Sequence, residues 1–123
     1  MLRFGYALLV AVPATLISLD MLSSASASPF DGRWSVMIET DKGTCDRAYR
    51  YGLVINNGKV SYAGGNDFEV TGRVTPTGNV HVRVARGPSY ADGHGRLGRD
   101  SGAGTWKGVG SGQCSGRWLA ERR

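Results

Sequence analysis

The sequence is poor in the residue types on which most enzymes and metal sites depend. Its 123 residues include only two histidines and two cysteines. It contains no Gly-x-Ser-x-Gly elbow, no His-Glu-x-x-His pair, no Cys-x-x-Cys and no glycine-rich phosphate loop that opens a helix. Because acyl transfer, zinc chemistry and nucleotide binding rely on such sets, we predict a protein that is not an enzyme and that holds no metal or cofactor.

Long apolar runs are absent after residue 19. Residues 5–19 are almost wholly apolar; they follow one cation, Arg3, and precede small residues that end in an Ala-x-Ala signal at 25–27. This order is typical of a secretory signal peptide. The run is shorter than the roughly 20 residues that a membrane span needs. We therefore predict a removable signal peptide, 1–27, and a single exported domain, 28–123, that has no membrane anchor and lies in the periplasm or outside the cell.

Helix patterns are nearly absent from the predicted domain. No window places apolar residues at i, i+3, i+4 and i+7, whereas period-2 alternation recurs along the chain. Turn formers followed by glycine separate the alternating segments. Together these signals predict an all-β fold, a small antiparallel up-and-down β-barrel of about eight strands. The turn signals lie at 41–43, 56–58, 64–66, 76–78, 87–88, 100–102 and 110–112.

Alternation also assigns an inner and an outer face to each predicted strand. The inward positions of the sixth strand include the small residues Ala91, Gly93 and Gly95. Small residues there leave either close packing for a large neighbour or an opening into the barrel. The aromatic residues at inward positions could fill a small barrel outright, and we expect all three tryptophans in the core. They are Trp34, Trp106 and Trp118.

The two ends of the predicted barrel carry the residues of a known pattern. Gly32 and Trp34 open the first strand, and Arg122 or Arg123 ends the last one. A Gly-x-Trp with a terminal arginine resembles the calycin signature of lipocalins, avidins and small periplasmic protease inhibitors. The resemblance implies that the arginine lies over the Trp34 indole and closes the barrel floor through a cation–π contact.

The domain as a whole more closely resembles short exported proteobacterial proteins that carry no assigned activity. The matching segments are FDGRW at 30–34, GTCDRAYRY at 43–51 and CSGRW at 114–118. This resemblance supports export and the barrel fold, and it implies no mechanism.

Cys45 and Cys114 are predicted to form a disulfide. An even cysteine count in an exported protein favours a bridge, and the rival readings, a metal pair or a reactive thiol, lack supporting neighbours. In an eight-strand meander the two cysteines begin strands two and eight at the same rim. A flat sheet would hold them nearly 10 Å apart, too far for a bridge. The rim must therefore curl, or the loop that precedes strand two must lean inward.

A polar cluster is predicted on the outer surface of strands five and six. If 87–88 is a two-residue hairpin loop, Arg83 faces Asp92 and His81 faces His94. Two opposed imidazoles could share a proton or hold a metal. Zinc usually takes at least three protein ligands, and Arg83 competes for Asp92. We therefore favour an ordinary surface pair over a metal site.

The net charge of +5 limits the partners that the surface would attract. A cationic barrel could bind an acidic envelope polymer or a protein partner, or the charge could serve solubility alone. No aromatic residue is interleaved with the outward arginines, so nucleic-acid binding is not expected.

Two classes of function remain. The first is a non-enzymatic binding or interaction module at the cell envelope. The alternative is a calycin-like small-molecule carrier or a protease inhibitor, and an inhibitor would need an exposed N-terminal arm at 28–31. A cavity lined by strand six would favour the carrier, whereas an interior filled by aromatic side chains would favour surface interaction.

Overall fold

The structure is a computed structural model that describes residues 28–110 and 112–123, together with positions 3, 5, 11, 13 and 14. Most of the predicted signal peptide, 1–27, lies outside the described residues, as does Ser111 of the last predicted turn. The removal of the leader therefore stays a prediction. Within the described part of the chain, no helix is long and apolar enough to cross a bilayer.

The predicted all-β barrel is confirmed. Eight strands follow one another around a closed barrel, each antiparallel to its neighbours, and the last strand pairs with the first. The strands are β1 Gly32–Lys42, β2 Ala48–Asn56, β3 Lys59–Tyr62, β4 Glu69–Val74, β5 Asn79–Arg86, β6 Ser89–Leu97, β7 Ser101–Val109 and β8 Gln113–Arg122.

Tight turns at glycine join several of these strands. Gly58, Gly78 and Gly87 have φ angles of 75°, 96° and 59°, in the left-handed region that glycine adopts without a steric penalty. Gly87 belongs to the predicted two-residue loop between β5 and β6. That loop sets the β5–β6 register, which is the predicted one: His81 faces His94, and Arg83 faces Asp92.

The strands run between two ends of different construction. We call one end the floor; it comprises the N-terminal arm, 28–31, and the turns that join β2 to β3, β4 to β5 and β6 to β7. The other end is the mouth, with the loops 43–47, 63–68 and 87–88. Most of the buried apolar side chains lie in the floor half, at inward positions of the strands.

The barrel wall has few backbone pairs between β3 and β4, because β3 is only four residues long. It pairs with β4 at two positions, Lys59 with Arg73 and Val60 with Gly72. The first three residues of β4 therefore have no β3 partner within the described residues, and side chains rather than backbone pairing fill this part of the wall.

The predicted disulfide joins Cys45 to Cys114 at the mouth. Cys45 does not begin β2 as predicted; it lies in the loop 43–47, which precedes that strand. Residues 44–46 of the loop line the barrel cavity, and the two Cα atoms of the bridge are 6.1 Å apart. Thr40 holds the loop in this position, because its backbone N–H donates to the Arg47 carbonyl at 2.9 Å.

Candidate functional site: the barrel cavity

The floor is closed by a single arginine. The Arg122 guanidinium carbon lies 4.7 Å from the centre of the Trp34 ring, whose residue is 2% exposed. The same guanidinium donates to the carbonyls of Asp31 and Pro29, at 2.7 Å each, and of Arg99 at 2.8 Å. Arg122, rather than Arg123, thus holds the position that the calycin-like pattern left open between the two.

The N-terminal arm is tied to this floor. The Trp34 indole N–H donates to the Phe30 carbonyl at 2.8 Å, and the Phe30 side chain is buried. The Asp31 carboxylate accepts from the backbone N–H groups of Asn57 at 2.8 Å and Gly58 at 3.2 Å. An arm held in this way is not the exposed segment that a protease inhibitor of the predicted kind would need.

The barrel encloses a cavity of about 620 Å³ above this floor. Its deep part is lined by apolar side chains, among them Trp34, Val60, Val80 and Leu97. The inward aromatic residues therefore line the barrel and do not fill it.

Glycine positions in the wall keep the tryptophans out of the middle of the barrel. A Cβ atom at Gly104 would lie 2.5 Å from Cε2 of Trp118, so the ring can lie against this wall only because no side chain stands there. The Trp118 indole N–H donates to the His94 carbonyl at 3.1 Å, which fixes the ring. On β6, a Cβ atom at Gly95 would also collide with the Trp118 ring, whereas Gly93 lines the cavity. The small inward face of β6 thus supplies both close packing and an opening.

Trp106 is held in the wall in a similar way. Its indole N–H donates to the Glu39 carbonyl at 3.0 Å and so reaches from β7 over β8 to β1. A Cβ atom at Gly116 would lie 2.9 Å from the Trp106 indole nitrogen. Each of the three tryptophans is buried and has its indole N–H bonded to a backbone carbonyl, as expected of core side chains.

Aromatic side chains form one side of the mouth. Tyr49, Tyr51, Tyr62 and Phe68 pack on one another, with ring centres 4.6 to 6.4 Å apart. They stand where the wall lacks β3–β4 pairing. The Arg86 guanidinium carbon lies 5.7 Å from the centre of the Phe68 ring.

The polar groups of the cavity are concentrated at this end. Thr44, Asp46, Arg86 and Ser89 line the mouth, and the tyrosine hydroxyls add to them. Burial, with Tyr49 as the next contributor, raises the pKa of Tyr51 to about 12. The Tyr51 phenol is therefore neutral at physiological pH and can donate a hydrogen bond.

The predicted polar cluster is brought together on the outer surface, away from the cavity. The His81 and His94 rings stack with centres 4.2 Å apart and an interplanar angle of 7°. Arg83 donates to both carboxylate oxygens of Asp92, at 2.8 and 2.9 Å, and this pairing lowers the Asp92 pKa from its usual value. Both Asp92 oxygens, with which this residue could have bound a metal ion, are thus hydrogen-bonded to Arg83. Within residues 28–110 and 112–123, no three histidine, cysteine or carboxylate side chains are placed to hold a metal ion.

One residue of the site, Arg86, was not predicted from the sequence. The alternation that puts Val80, Val82 and Val84 inward continues to this arginine at the end of β5. The signal was available, but a charged residue two positions from a hairpin loop reads more simply as solvent-exposed.

No protein-family model, no curated protein and no solved structure matches the chain. The site must therefore be interpreted from its own geometry.

Proposed function

We propose that this protein is an exported, non-enzymatic binding protein that holds a small apolar molecule inside its barrel. The cavity is the observation that carries the proposal. Its volume of about 620 Å³ falls within the range of about 300–1,000 Å³ that is typical of ligand pockets. An apolar interior with polar groups at one end is also typical of such pockets, since burial of apolar surface provides most of the affinity.

Two observations support this function over the others considered. An interior filled by aromatic side chains would have favoured a module that acts through its surface, but the tryptophans lie against the wall. An inhibitor would need a free N-terminal arm, but residues Phe30 and Asp31 are bound to the floor.

Export to the cell envelope is part of the proposal. The order of charged, apolar and small residues in 1–27 supports it, and so does the Cys45–Cys114 disulfide. Disulfides form and persist in oxidising compartments such as the periplasm and the extracellular space.

Binding of a neutral apolar fluorophore, N-phenyl-1-naphthylamine, tests the proposal. We expect its fluorescence to rise with saturable, one-to-one stoichiometry. Ala91 lines the cavity, and an Ala91→Phe substitution should occupy part of it and weaken the signal. Ala103→Phe places the same side chain on the exposed, outward side of β7 and is the matched control. Equal fluorescence from both variants, or no saturable binding by the wild-type protein, would refute the proposal.

A further inference from the structure

Arg86 occupies an unusual place at the mouth. It continues the inward series of Val80, Val82 and Val84 along β5, and all four side chains line the cavity. Six residues of a strand span about 20 Å, so the guanidinium is separated from the floor by most of the length of the barrel. The apolar wall of β5 thus ends in a positive charge.

The Arg86 guanidinium is not neutralised by the rest of the described chain. Among residues 28–110 and 112–123 it forms no ion pair and donates no side-chain hydrogen bond. Its guanidinium carbon lies 5.7 Å from the centre of the Phe68 ring. Five N–H donors in a fixed fork therefore remain available at the entrance to an apolar cavity.

A second donor stands near Arg86. The Tyr51 phenol lines the same mouth and is neutral. Its pKa, which burial raises to about 12, is lowered by the charge of Arg86 more than it is raised by that of Asp46.

The aromatic cluster does not offer a site for a cation. A cation bound by ring faces needs a gap between the rings, but the ring centres of Tyr49 and Tyr51 are 4.6 Å apart and those of Tyr51 and Phe68 are 5.1 Å apart. These rings pack on each other. The Phe68 ring already faces Arg86.

We propose that the cavity binds a single-chain aliphatic carboxylate, with its head group between Arg86 and Tyr51 and its chain directed toward Trp34. The inference rests on the proposed function and adds the class of ligand to it. A carboxylate carries one charge and matches one guanidinium in a bidentate pair. A phosphate monoester carries about −1.5 to −2 at neutral pH, and one arginine would leave part of that charge uncompensated.

Displacement of N-phenyl-1-naphthylamine by three probes of equal chain length tests the head group. Dodecanoate, dodecanol and dodecylamine share the apolar tail and differ in charge. We expect dodecanoate to displace the fluorophore at the lowest concentration. Arg86→Gln should weaken dodecanoate about tenfold, because a charge-assisted hydrogen bond is lost, and should weaken dodecanol much less, because a neutral hydroxyl gains less from the guanidinium.

Two further variants make the test specific. Arg96→Gln removes one positive charge from an exposed, outward position of β6 and should leave all three probes unchanged. Arg86→Glu should reverse the order, so that dodecylamine binds more tightly than dodecanoate. Because both substituted side chains are exposed, both variants should fold like the wild-type protein.

The outcomes separate this inference from the function on which it rests. If the fluorophore binds but dodecanoate and dodecanol displace it equally, the carboxylate assignment is overturned and the apolar carrier stands. The assignment is also overturned if Arg96→Gln weakens dodecanoate as much as Arg86→Gln does. If the fluorophore does not bind at all, the proposed function itself is refuted.

Discussion

An arginine faces an aromatic ring at each end of the barrel, and the two arginines differ in what surrounds them. At the floor, Arg122 covers the buried ring of Trp34 and donates to three backbone carbonyls. At the mouth, Arg86 lies over the partly exposed ring of Phe68 and donates to no described group. A guanidinium whose donors are all engaged stabilises the fold, whereas one with free donors can serve a ligand. The same pair of residue types thus closes one end of the barrel and leaves the other able to bind.

The first prediction concerns a substitution that disrupts the floor. Trp34→Ala should reduce the free energy of unfolding by about 3–5 kcal/mol, because it removes a large buried side chain and leaves Arg122 without its ring. Phe68→Ala is the matched substitution at the mouth and should cost less, since Phe68 is only half-buried. Urea denaturation followed by circular dichroism measures both. A loss from Phe68→Ala as large as that from Trp34→Ala would contradict the difference between the two ends.

The second prediction concerns the mouth. Replacing both cysteines, Cys45→Ala with Cys114→Ala, should cost about 2–4 kcal/mol, as the loss of a native disulfide typically does. The bridge ties the loop 43–47 to β8, and this loop lines the cavity entrance. We expect the loss of hydrogen-exchange protection to be concentrated there and at the start of β8.

The floor is the internal control for this experiment. Its arm, 28–31, is fixed by Arg122 and by the Asp31 carboxylate, and neither depends on the disulfide. The amide of Asp31, which donates to the Ser28 carbonyl, should keep its protection in the double variant. Equal loss of protection at both ends would show that the barrel unfolds as one unit and that the mouth has no separate constraint.

The fold could be predicted from the sequence to a large extent because its signals are local. A two-residue loop at Gly87 and Pro88 fixes the register of two strands, and register fixes which side chains face inward. The contact of Trp34 with an arginine at the end of the chain could also be predicted, because an up-and-down barrel brings the first and last strands together. What the sequence could not supply was the volume left inside. That volume depends on where each indole ring lies, and therefore on which glycines of neighbouring strands stand beneath it.

The position of the loop that carries Cys45 could not be predicted from the sequence either. The pairing with Cys114 followed from the cysteine count and the predicted rim, but Cys45 was placed on β2 and lies before it. Hydrogen bonds from Thr40 to the loop decide its position, through the backbone N–H and through the hydroxyl, which donates to the Asp46 carbonyl at 2.5 Å. No turn signal in the sequence encodes such a side-chain contact across six residues.

The last prediction concerns the wall between floor and mouth, where glycine decides whether the cavity exists. Gly104→Ala would put a Cβ atom against the backbone carbonyl of His94 and 2.5 Å from Cε2 of Trp118, so both the β6–β7 backbone and the ring, which would move toward the barrel axis, would have to shift. We expect a loss of about 1–3 kcal/mol in the free energy of unfolding, as for other overpacked sites, together with weaker binding of N-phenyl-1-naphthylamine.

Gly93→Ala is the matched control for this change. It adds the same methyl group to the inward face of the neighbouring strand, but its Cβ atom would lie 3.6 Å from the Trp118 indole nitrogen, an ordinary van der Waals contact. The ring can then keep its place and its bond to the His94 carbonyl. Its loss of stability should therefore be the smaller of the two, and it should bind the fluorophore better than Gly104→Ala does. If the two variants lose binding equally, the displaced ring is not what reduces the cavity, and the role assigned to the wall glycines is wrong.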